Sequence, residues 1–258
     1  MTTAPSEQPT PPAQTAQAVR DALAAVADPA DAVFLQRFFK TGPGEYGEGD
    51  VFIGVRVPQT RAVAKRFARL PLPELRALLD SPVHEHRLAA LIVLNAVFAR
   101  ASGARTRDDA ERERLADFYL RAVRDGRVNN WDLVDASAEY VLGAFLLDRP
   151  RGILDELAAS PVLWERRVAV LATFAFLKAG DASTTLVLAA RLLDDPEDLM
   201  HKAVGWMLRE TGKRVDRALL LGFLDEHAAR MPRTMLAYAT EHLDAATRAA
   251  YRSVPRRS

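Results

Sequence analysis

The sequence contains no cysteine in its 258 residues. This absence excludes disulfides, thiolate nucleophiles, cysteine-ligated zinc and iron–sulfur clusters, and it is typical of a cytoplasmic protein. Histidine is also scarce, since only five are present and no two have the HExxH spacing of a helical metal site. We therefore expect a protein without a metal or any other cofactor.

Long apolar runs and an excess of one charge are missing as well. The longest apolar stretches, Ala89–Ala99 and Val168–Leu177, are shorter than the roughly 18 residues that a membrane span needs. The amino terminus lacks the basic start and apolar core of a signal peptide. Because 35 Lys and Arg balance 34 Asp and Glu, the net charge is only +1. No membrane association is expected, and a nucleic-acid site would require basic residues gathered on one surface.

Apolar residues recur at three- and four-residue steps through most of the chain, which predicts an all-α fold. Proline and glycine at the breaks provide helix starts and stops. Only Val51–Val57 resembles a strand, and it also fits an extended loop. The predicted helices are Ala18–Ala27, Ala32–Lys40, Gln59–Leu70, Leu72–Leu79, His84–Arg100, Asp109–Asp125, Trp131–Leu147, Ile153–Ala159, Trp164–Lys178, Thr184–Leu193, Leu199–Arg214 and Val215–Ala229.

The composition divides the chain into three parts. Residues 1–15 are rich in proline and polar residues, which predicts a disordered tail. Residues 16–250 are expected to form a single helical domain, and residues 251–258 a short basic tail.

One pattern recurs within the helical part: a polar linker, a basic pair near a helix start, and an apolar run. The basic pairs are His86-Arg87, Arg166-Arg167 and His201-Lys202. The first two copies are about 80 residues apart, which leaves room for two hairpins of the roughly 40 residues found in HEAT-type arrays. Because a cation near a helix N-terminus opposes the macrodipole, its repetition favours an anionic partner in a concave groove. Chance enrichment of exposed helix starts is the alternative.

Two other motifs do not indicate a site. Gly42–Gly47 matches GxGxxG, but a helix precedes it, no helix follows directly, and its acidic residues would repel a pyrophosphate. A structured loop between two helices is expected there. His84-Glu85-His86 has no third metal ligand nearby in the sequence and is interpreted as a polar helix start.

The segment Asn129–Asp135 places a tryptophan and a carboxylate on one helix face, because Trp131 and Asp135 are four residues apart. Trp206 follows Lys202 at the same spacing, and Arg167 follows Trp164 by three. If the helices stack, these side chains could form a sugar-phosphate site with rings on deoxyribose, arginine on phosphate and a carboxylate facing positive charge. The alternatives are a half-buried Trp131, a solvated Asp135 and, more strongly, a core position for Trp164.

The segment Lys202–Arg217 has five basic and two acidic residues, a local charge of +3. Such a cluster would provide phosphate contacts, although a solvated helix face explains it equally well. The candidate DNA contacts besides Arg167 are Arg87, Arg166, Lys202, Lys213 and Arg214.

Taken together, four stretches resemble the AlkD family of DNA alkylation repair glycosylases. They lie in order between residues 30 and 215: Phe38–Pro58, Asn129–Asp135, Trp164–Arg167 and Lys202–Glu210. The Gly42–Asp50 segment is longer and more acidic than in some relatives.

The resemblance implies a HEAT-like helical solenoid whose concave groove holds duplex DNA. It implies hydrolysis of the N-glycosidic bond of cationic N3-alkyladenine and N7-alkylguanine without base flipping, by a monomeric protein that associates with the nucleoid. Matched position by position, Asp135 is the catalytic carboxylate, Trp131 and Trp206 contact the sugar, and Arg167 contacts the phosphate.

These residue types suit that chemistry. A cationic purine needs no general acid to leave, so one carboxylate can stabilise an oxocarbenium-like sugar and hold a water. No lysine nucleophile is required, which predicts a monofunctional glycosylase. The alternatives are a non-catalytic binder of distorted or branched DNA and, on the repeat alone, a protein-binding scaffold.

Overall fold

The computed structural model describes residues 12–255, which form fifteen α-helices, one π-helical and one 3-10 segment, and no β-strand. The all-α prediction is confirmed. The helices are α1 (Ala16–Ala24), α2 (Pro29–Gln36), α3 (Val57–Lys65), α4 (Leu72–Leu79), α5 (His84–Ala101), α6 (Asp109–Arg124), α7 (Trp131–Asp135), α8 (Gly152–Ala158), α9 (Leu163–Ala172), α10 (Phe174–Lys178), α11 (Ser183–Arg191), α12 (Asp198–Arg214), α13 (Arg217–His227), α14 (Arg233–Ala239) and α15 (Ala245–Ser253). The π-helical segment is Glu139–Gly143, and the 3-10 segment is Leu146–Asp148.

The two helices that carry the candidate site are interrupted where the sequence predicts continuous ones. The predicted helix Trp131–Leu147 is instead α7, the π-helical segment and the 3-10 segment. Ser137 lies in the first break, and its hydroxyl donates to the Leu133 carbonyl at 2.6 Å. The predicted helix Trp164–Lys178 breaks at the buried Thr173, whose hydroxyl donates to the Val170 carbonyl at 2.7 Å. Such bonds from side chain to backbone compete with the regular helical pattern and bend it.

The strand-like run Val51–Val57 is an extended loop with a single parallel bridge, between Val51 and Val83. The buried Glu85 carboxylate accepts the backbone N–H groups of Ile53 at 3.1 Å and Gly54 at 2.9 Å, in place of a neighbouring strand. Val57 already belongs to α3.

The predicted tails are partly ordered. Gln14 accepts the Arg69 N–H at 3.1 Å, and the Thr15 side chain caps α1. The other residues of the predicted amino-terminal tail, 1–11, lie outside the described residues, as do residues 256–258. Helix α15 extends to Ser253, within the predicted basic tail.

The chain divides into two compact units, one ending at Val97 and the other beginning at Phe98. In the first unit, α1 packs against α3 and α4 through buried residues such as Val19, Leu23 and Leu75. The single domain predicted for residues 16–250 stays a prediction.

In the second unit, α9 packs between α7 and α12, and α12 packs in turn against α13 and α14. Contacts that pass from each helix to its neighbours are those of a helical repeat. No helix within residues 12–255 combines the length and apolarity that crossing a bilayer requires.

Candidate functional site

Helix α7 holds the first two candidate residues on one face. The buried Asn130 begins the helix by accepting the Trp131 backbone N–H on its side-chain oxygen at 2.8 Å. Leu133 and Val134 face the core and are fully buried, whereas Trp131 and Asp135 are half-buried, one helical turn apart. The Asp135 side chain keeps 20% of its surface exposed. Trp131 and Asp135 therefore lie beside the buried apolar residues of the helix.

Arg167 on α9 forms a two-pronged ion pair with Asp135. Its Nε lies 2.9 Å from Oδ1 and its Nη2 lies 2.8 Å from Oδ2. The third nitrogen, Nη1, donates to the backbone carbonyl of Leu199 on α12 at 2.5 Å. Arg167 is buried. The Arg167 guanidinium thus links α9 to both α7 and α12, and each of its three nitrogens donates a hydrogen bond.

The environment of Asp135 disfavours its negative charge. Burial raises its pKa above the usual range, and this effect outweighs the opposing charge and hydrogen bonds of Arg167. The nearby charge of Asp132 raises the pKa further. An ionised Asp135 is consequently an incompletely compensated anion in a desolvated position, which interacts strongly with any cation brought next to it.

Trp206 on α12 packs against Phe174 of α10, with ring centroids 5.8 Å apart and planes tilted by 57°. Phe174 lies seven residues after Arg167, and Trp206 lies seven residues after Leu199. These residues make two contacts, Arg167 with Leu199 and Phe174 with Trp206. The contacts follow the same order along α9–α10 and along α12, so the two segments run in roughly the same direction. Trp206 lies on the same helix as Leu199, whose carbonyl accepts a hydrogen bond from Arg167.

Phe174 and Leu199 were not candidates from the sequence. Leu199 acts through its backbone carbonyl, which leaves no residue-type signal. The aromatic residue seven positions after Arg167 is a signal that could have indicated Phe174.

Arg87 and Arg166, two of the predicted DNA contacts, are used inside the molecule. Arg87, in the first unit, is buried in an ion pair with Asp50. Arg166 binds the buried Asp195 carboxylate at 2.6 and 3.3 Å, and it also donates to the carbonyl of Pro161 at 2.9 Å. The expectation of an accessible basic pair at each repeat is corrected accordingly, because internal carboxylates compensate these cations.

The remaining cations are more accessible. Lys202 binds Asp198 at 2.8 Å, one turn earlier on α12. Arg214 donates its Nε to the buried Glu210 at 2.6 Å. Lys213 is exposed and has no hydrogen-bond or ion-pair partner within the described part of the chain.

No metal centre forms in residues 12–255, where no three potential His, Asp or Glu ligands lie together. His84, Glu85 and His86 begin α5 but are buried rather than solvated. The ring of His86 lies 2.9 Å from the Ser81 hydroxyl, and burial lowers its pKa to about 4. These residues organise the extended loop and helix start.

Gly42–Gly47 forms a loop between α2 and α3, as predicted. The carboxylates of Glu45 and Glu48 accept the backbone N–H groups of Gly42 and Gly44, each at 2.8 Å. A phosphate cradle would need those backbone N–H groups as donors. Because the loop's own carboxylates already accept them, they are not available to a phosphate.

Comparisons with known proteins identify the fold and the family. A solved structure of a predicted DNA alkylation repair enzyme from Enterococcus faecalis shares the fold, with a TM-score of 0.66 and 17% sequence identity over 85% of this chain and 97% of that one. No curated protein matches the chain. The family model described as DNA alkylation repair enzyme matches residues 19–243. The chain therefore belongs to the DNA alkylation repair enzyme family, the AlkD-like family that its sequence resembles.

Proposed function

We propose that this protein is a monofunctional DNA N-glycosylase that removes cationic alkylated purines, N3-alkyladenine and N7-alkylguanine, from duplex DNA without flipping the base. Family membership supports DNA repair of alkylation damage. The Asp135–Arg167 pair supports the specific reaction, because it provides one desolvated carboxylate next to a fixed cation.

In the proposed reaction the bond between C1′ of the sugar and the purine nitrogen breaks. The electron pair leaves with the base and neutralises its positive charge, so no general acid is needed. Asp135 stabilises the oxocarbenium-like sugar that remains. A water then attacks C1′, and Asp135 accepts its proton before releasing it to solvent.

The other residues position the DNA around this carboxylate. The rings of Trp131 and Trp206 pack against the deoxyribose, where each adds roughly 0.5–2 kcal/mol of attraction to the developing cation. Arg167 contacts the neighbouring phosphate through the two N–H donors that its bonds to Asp135 and Leu199 leave unused. Lys202, Lys213 and Arg214 supply further phosphate contacts.

The position of the Asp135 carboxylate carries the proposal, because two nitrogens of Arg167 bind it and only 20% of the side chain is exposed. A surface aspartate would be well solvated and would gain little from a nearby cation. Partial burial removes that solvation in advance, so the interaction with a developing positive charge is stronger than in water.

The test replaces the carboxylate without changing its shape. Asp135→Asn should lower the first-order rate of N7-methylguanine release from methylated duplex DNA by about 100-fold or more, because the charge that stabilises the transition state is removed. DNA affinity should remain largely intact. Release is measured by chromatography with enzyme in excess over DNA.

Asp195→Asn is the matched control, because the Asp195 side chain is only 2% exposed and is also bound by two nitrogens of an arginine on α9. It should reproduce any loss of stability but keep the rate of base release. If wild-type protein releases neither N7-methylguanine nor N3-methyladenine, the glycosylase proposal is wrong.

The second candidate function is non-catalytic binding of distorted or branched DNA. It is favoured by the pairing of Asp135 itself, since a bidentate bond to Arg167 is also what a structural ion pair would make. This function predicts tighter binding to a four-way junction than to methylated duplex. It also predicts no base release and no effect of Asp135→Asn.

A further inference from the structure

Four side chains form a cluster beside the candidate site, which we name the aromatic–cation surface: the exposed Tyr140, Lys178 and Arg214 and the half-buried Phe174. They come from three separate parts of the second unit, namely the π-helical segment, α10 and the C-terminal turn of α12. Of the four, only Arg214 was a candidate from the sequence. The cluster exists because the interrupted helices bring these positions together.

Both cations lie against aromatic rings. The Lys178 Nζ is 4.6 Å from the centroid of the Phe174 ring and 5.7 Å from that of Tyr140. The Arg214 Cζ is 5.0 Å from the Phe174 centroid. Phe174 therefore contacts a cation from its own helix and another from α12, in addition to the indole of Trp206.

Each of the two cations is paired with a buried carboxylate. Lys178 pairs with the buried Glu139, and Arg214 donates its Nε to the buried Glu210. Arg214 keeps its two terminal nitrogens without a hydrogen-bond partner within residues 12–255. Lys178 uses one of its three N–H donors in the described structure, so each cation has donors left for an external acceptor.

The cluster is accessible. Tyr140 is 44% exposed, and the side chains of Lys178 and Arg214 are 40% and 37% exposed. Exposed aromatic rings interleaved with ordered cations are typical of surfaces that bind nucleic-acid strands, because rings pack on sugars and bases while cations contact phosphates.

The surface lies next to the Asp135 site. Phe174 is seven residues beyond Arg167, and Trp206 is seven residues beyond Leu199. Seven residues correspond to about 10 Å along a helix at 1.5 Å per residue. Trp206 connects the two places, since it lies on the same helix as Leu199 and packs on Phe174.

We infer that the aromatic–cation surface binds the sugar-phosphate backbone of the DNA at nucleotides flanking the damaged one. Lys178 and Arg214 contact phosphates, and the rings of Tyr140 and Phe174 pack against deoxyribose. The inference rests on the proposed function for its partner, DNA, but it concerns affinity and not the chemical step.

The experiment measures the binding of undamaged duplex DNA by fluorescence anisotropy at several salt concentrations between about 50 and 200 mM. All proteins carry Asp135→Asn, so base release does not affect the readout. Lys178→Gln and Arg214→Gln should each lower affinity about threefold and reduce the slope of log affinity against log salt by about 1, because one phosphate contact is lost. Tyr140→Ala should lower affinity about threefold or more with a smaller change in slope.

Two controls match these variants in exposure. Arg191→Gln removes another exposed, ion-paired arginine from the last turn of a helix, and Leu147→Ala truncates an apolar side chain 45% exposed. Neither should change affinity or salt slope. The double variant Glu139→Gln/Lys178→Gln keeps the net charge and should still lose affinity, which separates a lost contact from an uncovered carboxylate. Thermal unfolding confirms that each variant is folded.

If the three variants bind DNA as tightly and with the same salt slope as the two controls, the inference is wrong. Loss with Lys178→Gln but not with the charge-neutral double variant would also contradict it, since repulsion by Glu139 would then explain the loss. Either result leaves the glycosylase proposal intact, because that proposal is decided by base release from wild-type protein.

Discussion

At the scale of single residues, the proposed function depends on how the negative charge of one carboxylate, Asp135, is compensated. Asp135 has a buried guanidinium as its partner, yet its pKa is raised because burial outweighs that partner. Elsewhere a carboxylate with an arginine partner shows the opposite shift. Hydrogen bonds from Arg107 and Arg112 lower the pKa of the exposed Asp109 to about 2. Desolvation therefore distinguishes Asp135 from an ordinary ion-paired aspartate.

This difference predicts an unusual pH dependence of base release. The proposed reaction needs ionised Asp135, so the rate should fall as pH decreases through a pKa above the ordinary aspartate value of about 3.9. The measurement is the single-turnover rate of N7-methylguanine release as a function of pH, corrected for spontaneous depurination.

The variant Arg167→Ala provides a second test of this pH dependence. The charge and hydrogen bonds of Arg167 lower the pKa of Asp135, so their removal should move the acidic limb of the profile to higher pH. A purely structural arginine would lower the rate at every pH without moving the limb. An acidic limb that stays at the same pH in Arg167→Ala would contradict the assigned electrostatic coupling.

The residues of the site were predictable to different degrees. Asp135 and Trp131 follow from helical spacing within Asn129–Asp135, because four residues make one turn. The meeting of Asp135 with Arg167 depends on the packing of α7 on α9, which helical spacing suggested only on the condition that the helices stack. The Leu199 carbonyl could not be predicted, because every residue has one and packing alone selects which is used.

At the scale of elements, α12 joins the site to the rest of the second unit. It carries Trp206, accepts the Arg167 bond at Leu199, and packs closely on α14. The closeness depends on Gly205. A Cβ there would lie 2.5 Å from the Met235 carbonyl oxygen and 2.6 Å from the Tyr238 Cβ.

Gly205→Ala should therefore destabilise the protein by about 1–3 kcal/mol, since the added methyl group overlaps backbone that cannot move freely. Urea unfolding followed by circular dichroism measures this change. The shift of α12 should also weaken the packing of Trp206 on Phe174, detectable as a change in tryptophan fluorescence.

Gly222→Ala on the neighbouring α13 is the control, because no atom lies within 4 Å of a Cβ at that position. It should leave stability unchanged or raise it by up to about 1 kcal/mol through better helix propensity. Equal effects of the two substitutions would show that the α12–α14 approach is looser than the structure indicates.

The interrupted helices illustrate what periodicity misses. Apolar spacing through Trp131–Leu147 and Trp164–Lys178 is helical throughout, so it predicts two continuous helices. In the structure Gly143 lies against α9, where a Cβ would be only 2.2 Å from the Ala172 carbonyl oxygen. The breaks at Ser137 and Thr173 accompany this close approach and place Tyr140 next to Lys178.

At the scale of the whole molecule, charge is balanced by local pairing. Although the net charge is only +1, many carboxylates lie in short-range contact with hydrogen-bond donors. Within residues 12–255, hydrogen bonds lower the pKa of six aspartates, namely Asp31, Asp109, Asp148, Asp181, Asp198 and Asp244.

These depressed pKa values predict loss of stability in acid. A carboxylate with a lowered folded-state pKa stabilises the fold above its unfolded value of about 3.9, and the contribution is lost as pH falls through the folded value. That value is about 2 for Asp109, Asp181 and Asp244. The urea midpoint should therefore be lower at about pH 2.5 than at about pH 6.

Salt provides the check on this prediction. Most of these aspartates are exposed, so about 1 M salt should screen their ion pairs and reduce the difference between the two pH values. An equal urea midpoint at both pH values would mean that the pairs contribute nothing to folding.

The sequence by itself determined the helical class and the family, and it supplied the four residues that we propose for the site. Helical periodicity and residue type are local properties, and Asp135, Trp131, Arg167 and Trp206 lie in short stretches that resemble the family. The tertiary structure decided which of the predicted cations are accessible. Arg87, Arg166 and Arg167 each pair with a carboxylate distant in the sequence and are largely buried, whereas the side chains of Lys202, Lys213 and Arg214 keep more of their surface exposed. It also decided the raised pKa of Asp135 and the clustering of Tyr140, Phe174, Lys178 and Arg214, since desolvation and contacts between helices arise only when the segments pack.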